Sequence, residues 1–191
     1  MVQIPTSLVL ACADRDERAW RELIKLTTTP LMGLARRYLS SETLAEDALQ
    51  EAYIKVWRNI GSLRDASKAY SWMASIVVNE CRQSWNRNKK HIGTDLEDVE
   101  YSLGEAGEHE AEMKGRERSE IVQAALKKLP PKLREILILR EFQDMEYDEI
   151  ARAAGIPVGT VRSRLARARE KWIEIVKGLV PGGDLLSLAS D

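Results

Sequence analysis

Five cations and a single acid share one helix-forming run near the C-terminal end: Arg162, Arg164, Arg167, Arg169 and Lys171 stand against Glu170. Val161, Leu165 and Ala168 recur there at helical spacing and claim one face for a core, so most of the cations must project from the rest of the cylinder. Such a helix suits the major groove of duplex DNA, where arginine's planar fork bonds guanine O6 and N7 together for roughly 1–3 kcal/mol of base discrimination. Thr160 and Ser163 lie near its leading end. A basic helix face alone is commoner as a solvated surface. The residues before it change that reading, because 147–166 fits a helix-turn-helix. Ile150 and Ala151 face inward, Ala154 allows a close crossing, and Gly155 occupies a turn where positive φ is cheapest for glycine. Pro157 then breaks the chain just before the second helix.

A second cluster lies upstream. Tyr70, Trp72 and Trp85 interleave with Arg82, Arg87, Lys89 and Lys90 and with the amides Asn79, Gln83 and Asn86. Rings beside cations and amides are what unpaired bases require. Trp72 pairs with Ile76 at i+4 and is expected to be mainly structural, leaving Asn79 and the basic end as the better candidates for nucleic-acid contact. Enzymatic chemistry has little to work with. The two histidines, His91 and His109, lie in or beside a polar stretch, and Cys12 and Cys81 lack metal-ligand or nucleophile spacing. No catalytic residue, metal or cofactor is expected. Cys81 is either an inert buried thiol or a redox sensor.

The elements that must position these residues are helices throughout, with almost no strand-like alternation. Two short helices are predicted over 16–26 and 28–39, parted near Thr27-Thr28-Thr29-Pro30. A third begins at a Thr43–Glu46 capping box and buries Ala45, Ala48, Leu49, Ala52, Tyr53, Val56 and Trp57. Its other face holds Glu46, Asp47, Gln50, Glu51 and Lys55, too acidic to touch DNA, so it is solvated or meets a protein. A turn-rich stretch from Gly61 to Ser67 leads into a helix from about Lys68 to Asn88. From His91 to Gly115 the periodicity dissolves. Helical signals resume near Arg116, pause at Leu129-Pro130-Pro131, and return with Leu133, Ile136 and Leu137 as a buried stripe. The residues from Gly178 onward read as a loose tail, where Leu185, Leu186 and Leu188 could dock on a partner.

Charge follows the same divisions. Of 191 residues, 29 are Lys or Arg and 30 Asp or Glu, a net charge of −1 that hides an asymmetry. Residues 1–92 carry 14 basic and 10 acidic side chains, 93–117 carry 2 and 9, and 118–191 carry 13 and 11. Two mildly basic blocks therefore flank an acidic tether, a pattern that speaks of partners. With 44% hydrophobic and 31% charged residues the chain is globular rather than disordered or membrane-spanning. Two cysteines make no disulfide framework. Val9-Leu10-Ala11-Cys12 looks like a lipoprotein cleavage box, but no cation precedes it and the apolar run is short, so a cytoplasmic protein is expected. The expected fold is all-α: an N-terminal helical domain over 1–91, an acidic linker over 92–116, a helix-turn-helix domain over 117–178 and a tail over 179–191.

Taken together these runs resemble a known family. Ala45-Glu46-Asp47-Ala48-Leu49-Gln50-Glu51-Ala52-Tyr53-Ile54-Lys55-Val56-Trp57 is similar to conserved region 2.2 of bacterial sigma factors. Tyr70 through Asn79 resembles the passage from region 2.3 into 2.4. Leu129-Pro130 through Glu141, then Tyr147 to Ala151, resemble region 4.1 and the start of 4.2, and Val158 through Glu170 resembles the region 4.2 recognition helix. With two domains and a short linker, the chain looks like the extracytoplasmic-function (ECF) class.

That resemblance implies specific roles. Asp47, Gln50, Glu51 and Lys55 would face core RNA polymerase, docking on the β′ clamp helices, with the β flap as a further contact. Arg64, Asp65, Ser67, Lys68, Tyr70, Asn79, Arg82, Gln83 and Arg87 would read the −10 element, and Thr160, Arg162, Ser163, Arg164, Arg167 and Arg169 the −35 element. The acidic linker would thread through basic polymerase channels and keep the two basic domains as separate contacts. An anti-sigma factor is the implied inhibitor, a stress or envelope response the implied regulon, and no membrane insertion is implied. Free in solution, the protein is expected to bind DNA weakly. Two departures stand out: Ala69 occupies a position commonly phenylalanine, and Met145 stands where a Ser or Thr usually caps the helix before the turn, with Asp144 as the substitute cap. The competing reading is a stand-alone helix-turn-helix regulator, against which the acidic face and the Trp72–Asn79 run both weigh.

Overall fold

Leu8, Val9 and Cys12 are buried on one side of a short helix, α1 (Thr6–Ala13), so the supposed cleavage box has its first and last residues in the core and Leu10 exposed. A computed structural model describes residues 2–39, 41–92 and 110–179, with 89–92 and 110–118 by their backbone alone. The acidic segment 93–109, with His109, and the leucines of the tail lie outside the described residues.

The next element, α2 (Glu17–Tyr38), is one continuous helix where two were expected. Asp16 caps it, accepting from the Arg18 and Ala19 amides at 2.7 and 3.0 Å. Pro30 removes one internal donor, yet a single buried face runs through Leu23, Thr27, Leu31 and Leu34. The Thr27 and Thr28 hydroxyls bond back to the Leu23 and Ile24 carbonyls at 2.7 and 2.8 Å, and the Tyr53 hydroxyl lies 2.9 and 3.1 Å from the two threonine oxygens. The threonines are thus absorbed into the helix and its contact with α3 instead of ending it.

That partner, α3 (Glu42–Asn59), is capped by Ser41, not by the predicted Thr43–Glu46 box. Two 3₁₀ turns, Ile60–Ser62 and Ala66–Lys68, carry the chain into α4 (Ala69–Ile92). The fully buried side of α4 is Met73, Ala74, Val77, Val78 and Cys81, whereas Trp72 and Ile76 are only half-buried against the core. The i+4 spacing of Trp72 and Ile76 therefore marks the margin of the buried stripe. Helices α1 to α4 form the N-terminal half, with α2, α3 and α4 in mutual contact.

The C-terminal half begins with α5 (Glu110–Lys128), so helix starts earlier than the expected Arg116. Pro130 and Pro131 open α6 (Pro131–Leu137), the proline-first arrangement that wastes no internal amide. It runs on through a π segment, Ile138–Phe142, before α7 (Tyr147–Ala154) and α8 (Val158–Leu179). Leu133 is half-buried, and Ile136 through Leu139 supply the core. Met145 is fully buried and caps nothing. Glu146 is the cap of α7, exchanging side-chain-to-backbone bonds with Glu149, while Asp144 turns the chain at φ +54°. Helices α5, α6 and α7 all pack on α8.

The two halves are in contact. α4 lies against α7, the π segment lies against α2, and one connected cluster of buried apolar side chains spans both. The sequence leads one to expect two helical domains on an acidic tether; here polar side chains of the two halves find partners in each other. Among the described residues there is no strand, and no helix is long and apolar enough to cross a membrane.

Candidate nucleic-acid and partner interfaces

The helix-turn-helix is built as its residues require. Gly155 ends α7 at φ +65°, and its amide closes on the Ala151 carbonyl. The Pro157 carbonyl then accepts from the Thr160 and Val161 amides at 2.9 and 3.1 Å to start α8. Ile150, Val161, Leu165 and Ala168 are buried between the two helices. Ala153 is buried with them, while the predicted Ala151 and Ala154 are half-buried at the edge. Arg162, Ser163 and Arg167 are exposed along one side of α8, with Thr160 and Arg164 half-exposed beside them. Arg169 differs: its guanidinium bonds Glu141 at 2.9 and 2.6 Å, so part of its charge is held by the π segment.

In the N-terminal half, Asp47, Gln50 and Glu51 are exposed together on α3. Lys55 does not join them; its ammonium reaches back to Glu80 on α4 at 2.5 Å, and Glu80 is buried. Beside the acidic face runs an apolar groove of about 590 Å³ between α2 and α3, lined by Trp20, Ile24, Met32, Leu49, Tyr53 and Trp57 among others. Trp20 packs on Trp57 with ring centroids 4.9 Å apart and meets Tyr53 edge-on at 6.1 Å. The Arg15 guanidinium stacks on Trp57, 4.8 Å from the ring centroid. An amphipathic helix from a partner would find there both an apolar floor and a carboxylate rim.

Arg64, Asp65, Ser67 and Lys68 lie exposed on the turns before α4, where Asp65 caps the second turn through Ser67. Gln83 and Arg87 are exposed on α4 itself. Tyr70, Asn79 and Arg82 are otherwise engaged. Tyr70 is buried, and its hydroxyl donates to Gln143 at 2.7 Å. Arg82 donates to Asn79 at 3.0 Å and pairs with Glu135. The expected −10 set is therefore brought onto one helix and its leading turns, with Tyr70 and Arg82 engaged by the other half of the molecule and Asn79 bonded to Arg82.

The match to known families is direct. Residues 23–91 match sigma-70 region 2 and residues 119–171 match sigma-70 region 4. The chain is 36% identical over 163 residues to the RNA polymerase sigma-H factor of Pseudomonas aeruginosa, an alignment covering 81% of this chain and 84% of that protein. It is 33% identical over 173 residues to the ECF RNA polymerase sigma-E factor of Escherichia coli K12, covering 86% and 90%. The chain belongs to the ECF sigma factors. The solved structure of CnrH in complex with the cytosolic domain of CnrY shares its fold, at a TM-score of 0.65 and 21% identity over 91% of this chain and 97% of that one. So does the sigma factor RpoE in complex with the anti-sigma factor NepR from Bartonella quintana, at 0.66 and 24% over 82% and 96%.

Sigma factors are non-enzymatic initiation factors, and as one of them the chain binds core RNA polymerase and promoter DNA, which removes the stand-alone regulator as a competing reading. Several parts of this sigma factor escaped sequence reasoning. The groove residues on α2, Trp20 and Ile24, carried a signal in their i+4 spacing beside an already complete buried face. Glu135, Gln143 and Glu149, which meet α2 and α4, had none, since nothing local tells a polar side chain that it will meet another domain. Both thiols of the sigma factor are buried, and burial pushes Cys81 up to about 12, the inert end of the two alternatives weighed for it.

Proposed function

We propose that the acidic rim and apolar groove of α3 form the core-polymerase surface, with Asp47, Gln50 and Glu51 meeting the β′ clamp helices and the C-terminal half meeting the β flap. The turns before α4 together with Asn79, Arg82, Gln83 and Arg87 read the −10 element, and Arg162, Ser163, Arg164 and Arg167 at the front of α8 read the −35 element. The observation that carries this reading is the separation of surfaces: the carboxylates stand exposed on α3 while the unpaired cations stand exposed on α8. Lys55 acts by anchoring α3 to α4 through Glu80 rather than by touching polymerase. Arg169 contributes less than its neighbours, since Glu141 shares its charge.

Division of labour follows from the chemistry. The C-terminal half grips duplex phosphates and a few base edges, which sets register. The N-terminal half captures bases that have left the stack, offsetting an unstacking cost of a few kcal/mol. Bond-making belongs to the polymerase. The protein works in the cytoplasm on a stress or envelope-response regulon, and an anti-sigma factor restrains it; the complexes of CnrH with CnrY and of RpoE with NepR support that last element.

Run-off transcription by purified core polymerase on a promoter library tests the assignment. Transcripts sharing two spaced elements, lost on Asp47→Lys or on Arg162→Ala, are the expected result. Transcription that tolerates both substitutions would overturn the assignment of surfaces.

A further inference from the structure

Three guanidiniums line the contact between the halves, and two of them have acceptors. Arg82 pairs with Glu135, and Arg134, which lies over Trp85 at 5.7 Å, donates to the Lys127 and Leu129 carbonyls at 2.7 and 3.2 Å. Arg37 on α2 is different. It stacks on the Phe142 ring at 4.6 Å, but its Nε is sealed from solvent, and among the described residues no oxygen accepts from it. Burial pushes this guanidinium below its ordinary value, and the group that favours its charged form is Tyr70. That phenol, itself pushed up to about 12, is neutral in the physiological range and supplies no counter-charge. A cation so far withdrawn from water is costly unless an anion meets it.

Room for an anion is present. Arg37 lines a pocket of about 650 Å³ between α2 and the end of the π segment, a volume that suits a small metabolite rather than a lone ion. Pro30 and Phe142 give the pocket an apolar wall, and Thr29 and Gln143 a polar one. The Gln143 side-chain oxygen is taken by the Tyr70 hydroxyl, which leaves its amide NH₂ as the end that can donate to a ligand. Arg36 stands on the same wall with Glu42 sharing its charge, so one positive charge is left over there. Helix α2 is shaped around the guanidinium. A Cβ at Gly33 would lie 3.1 Å from Arg37 Nη1, and glycine, a poor residue for a helix interior, leaves the arginine that space.

We propose that this pocket binds a small phosphate monoester with an apolar or aromatic body. Its head is held by the Arg37 fork, which takes two oxygens of one phosphate at once, with Thr29 and Gln143 as further donors. Its body lies along Pro30 and Phe142. The walls come from both halves, so the ligand is held only while they are in contact, and its occupancy adds to the stability of that contact.

Isothermal titration calorimetry of the full chain at constant ionic strength, with phenyl phosphate, inorganic phosphate and phenol as probes, tests the site. Saturable one-site binding of phenyl phosphate, weaker binding of inorganic phosphate and none of phenol is the expected order. Arg37→Gln should weaken phenyl phosphate by about tenfold or more, the scale of lost charge-assisted hydrogen bonds. Phenyl phosphate should also raise the Tm of the wild type and not that of this variant. Gly33→Ala keeps every polar group of the pocket, favours the helix and crowds Nη1, so it should weaken binding several-fold in a chain that melts at or above the wild type. That second variant decides the matter should Arg37→Gln fail to fold. No saturable binding by the wild type, or an affinity unchanged in either variant, would overturn the proposal.

Discussion

The Tyr70 hydroxyl donates a 2.7 Å hydrogen bond to the side-chain carbonyl of Gln143, joining α4 to the residue that follows the π segment. Both side chains are buried, and burial pushes the phenol up to about 12, so it remains a donor throughout the neutral range. Tyr70→Phe keeps the ring but leaves a buried acceptor without its donor. The expected loss is about 1–3 kcal/mol of unfolding free energy in urea titration. An unchanged midpoint would mean that the seam does not contribute to the stability of the free chain.

Asp47 is exposed on α3 and no described contact depends on it. Asp47→Lys should therefore shift stability by less than about 0.5 kcal/mol, as an exposed helix position allows. Co-elution with core polymerase should nonetheless be lost, because the substitution reverses charge on the exposed acidic face of α3. A variant that still co-elutes would place the polymerase surface elsewhere.

Arg162 and Arg169 should behave differently although both lie on α8. Arg162 projects into solvent, whereas Arg169 is tied to Glu141. Replacing Arg162 by Ala should cost about 1–3 kcal/mol against the preferred −35 sequence and relax choice at one base pair. Arg169→Ala should weaken duplex binding little and evenly across sequences. Competition binding with single-base variants, by the holoenzyme, separates the two patterns.

Gly155 adopts φ +65°, and a Cβ built there meets nothing within 4 Å. Space is available, so only backbone preference resists substitution. Gly155→Ala should cost about 1–2 kcal/mol, and Gly155→Asn noticeably less, since asparagine tolerates the left-handed region. Thermal melts of the two variants would show the order. Equal costs would mean that a clash, not the dihedral angle, sets the limit.

Cys81 is fully buried, and burial with the nearby Glu80 carboxylate raises its thiol from an ordinary 9.0 to about 12. The folded protein holds this proton more tightly than the unfolded chain does. The resulting stability is fully present below pH 9.0 and is lost as pH rises toward about 12. Cys81→Ala should flatten part of the alkaline limb of a stability–pH curve. In the native state near pH 8 the thiol should react with iodoacetamide only as fast as the protein opens.

Local pattern carried the all-helical class, the helix-turn-helix and the two charged surfaces. Each depends on neighbours within about two helical turns: Gly155 before Pro157, the Val161–Leu165–Ala168 stripe with arginines around it, and Asp47, Gln50 and Glu51 opposite a run of alanines. Element boundaries were less legible wherever tertiary contact overrode local preference. Thr27, Thr28 and Pro30 read as a break, yet Tyr53 and a continuous buried face hold α2 in one piece. Ser41 and Glu146 won the capping positions from Thr43 and Asp144 by where the chain arrived in space.

The sequence by itself determined which residues are charged, which helices they ride on and what kind of polymer each surface suits, because those properties belong to a single helix face. Only the tertiary structure decided which of those charges are available. Lys55 turned inward to Glu80, Arg169 to Glu141 and Arg82 to Glu135, each drawn to a carboxylate on a different element. Periodicity along one helix reports which way a side chain points. It does not report what another helix, brought alongside by folding, will place within 3 Å of it.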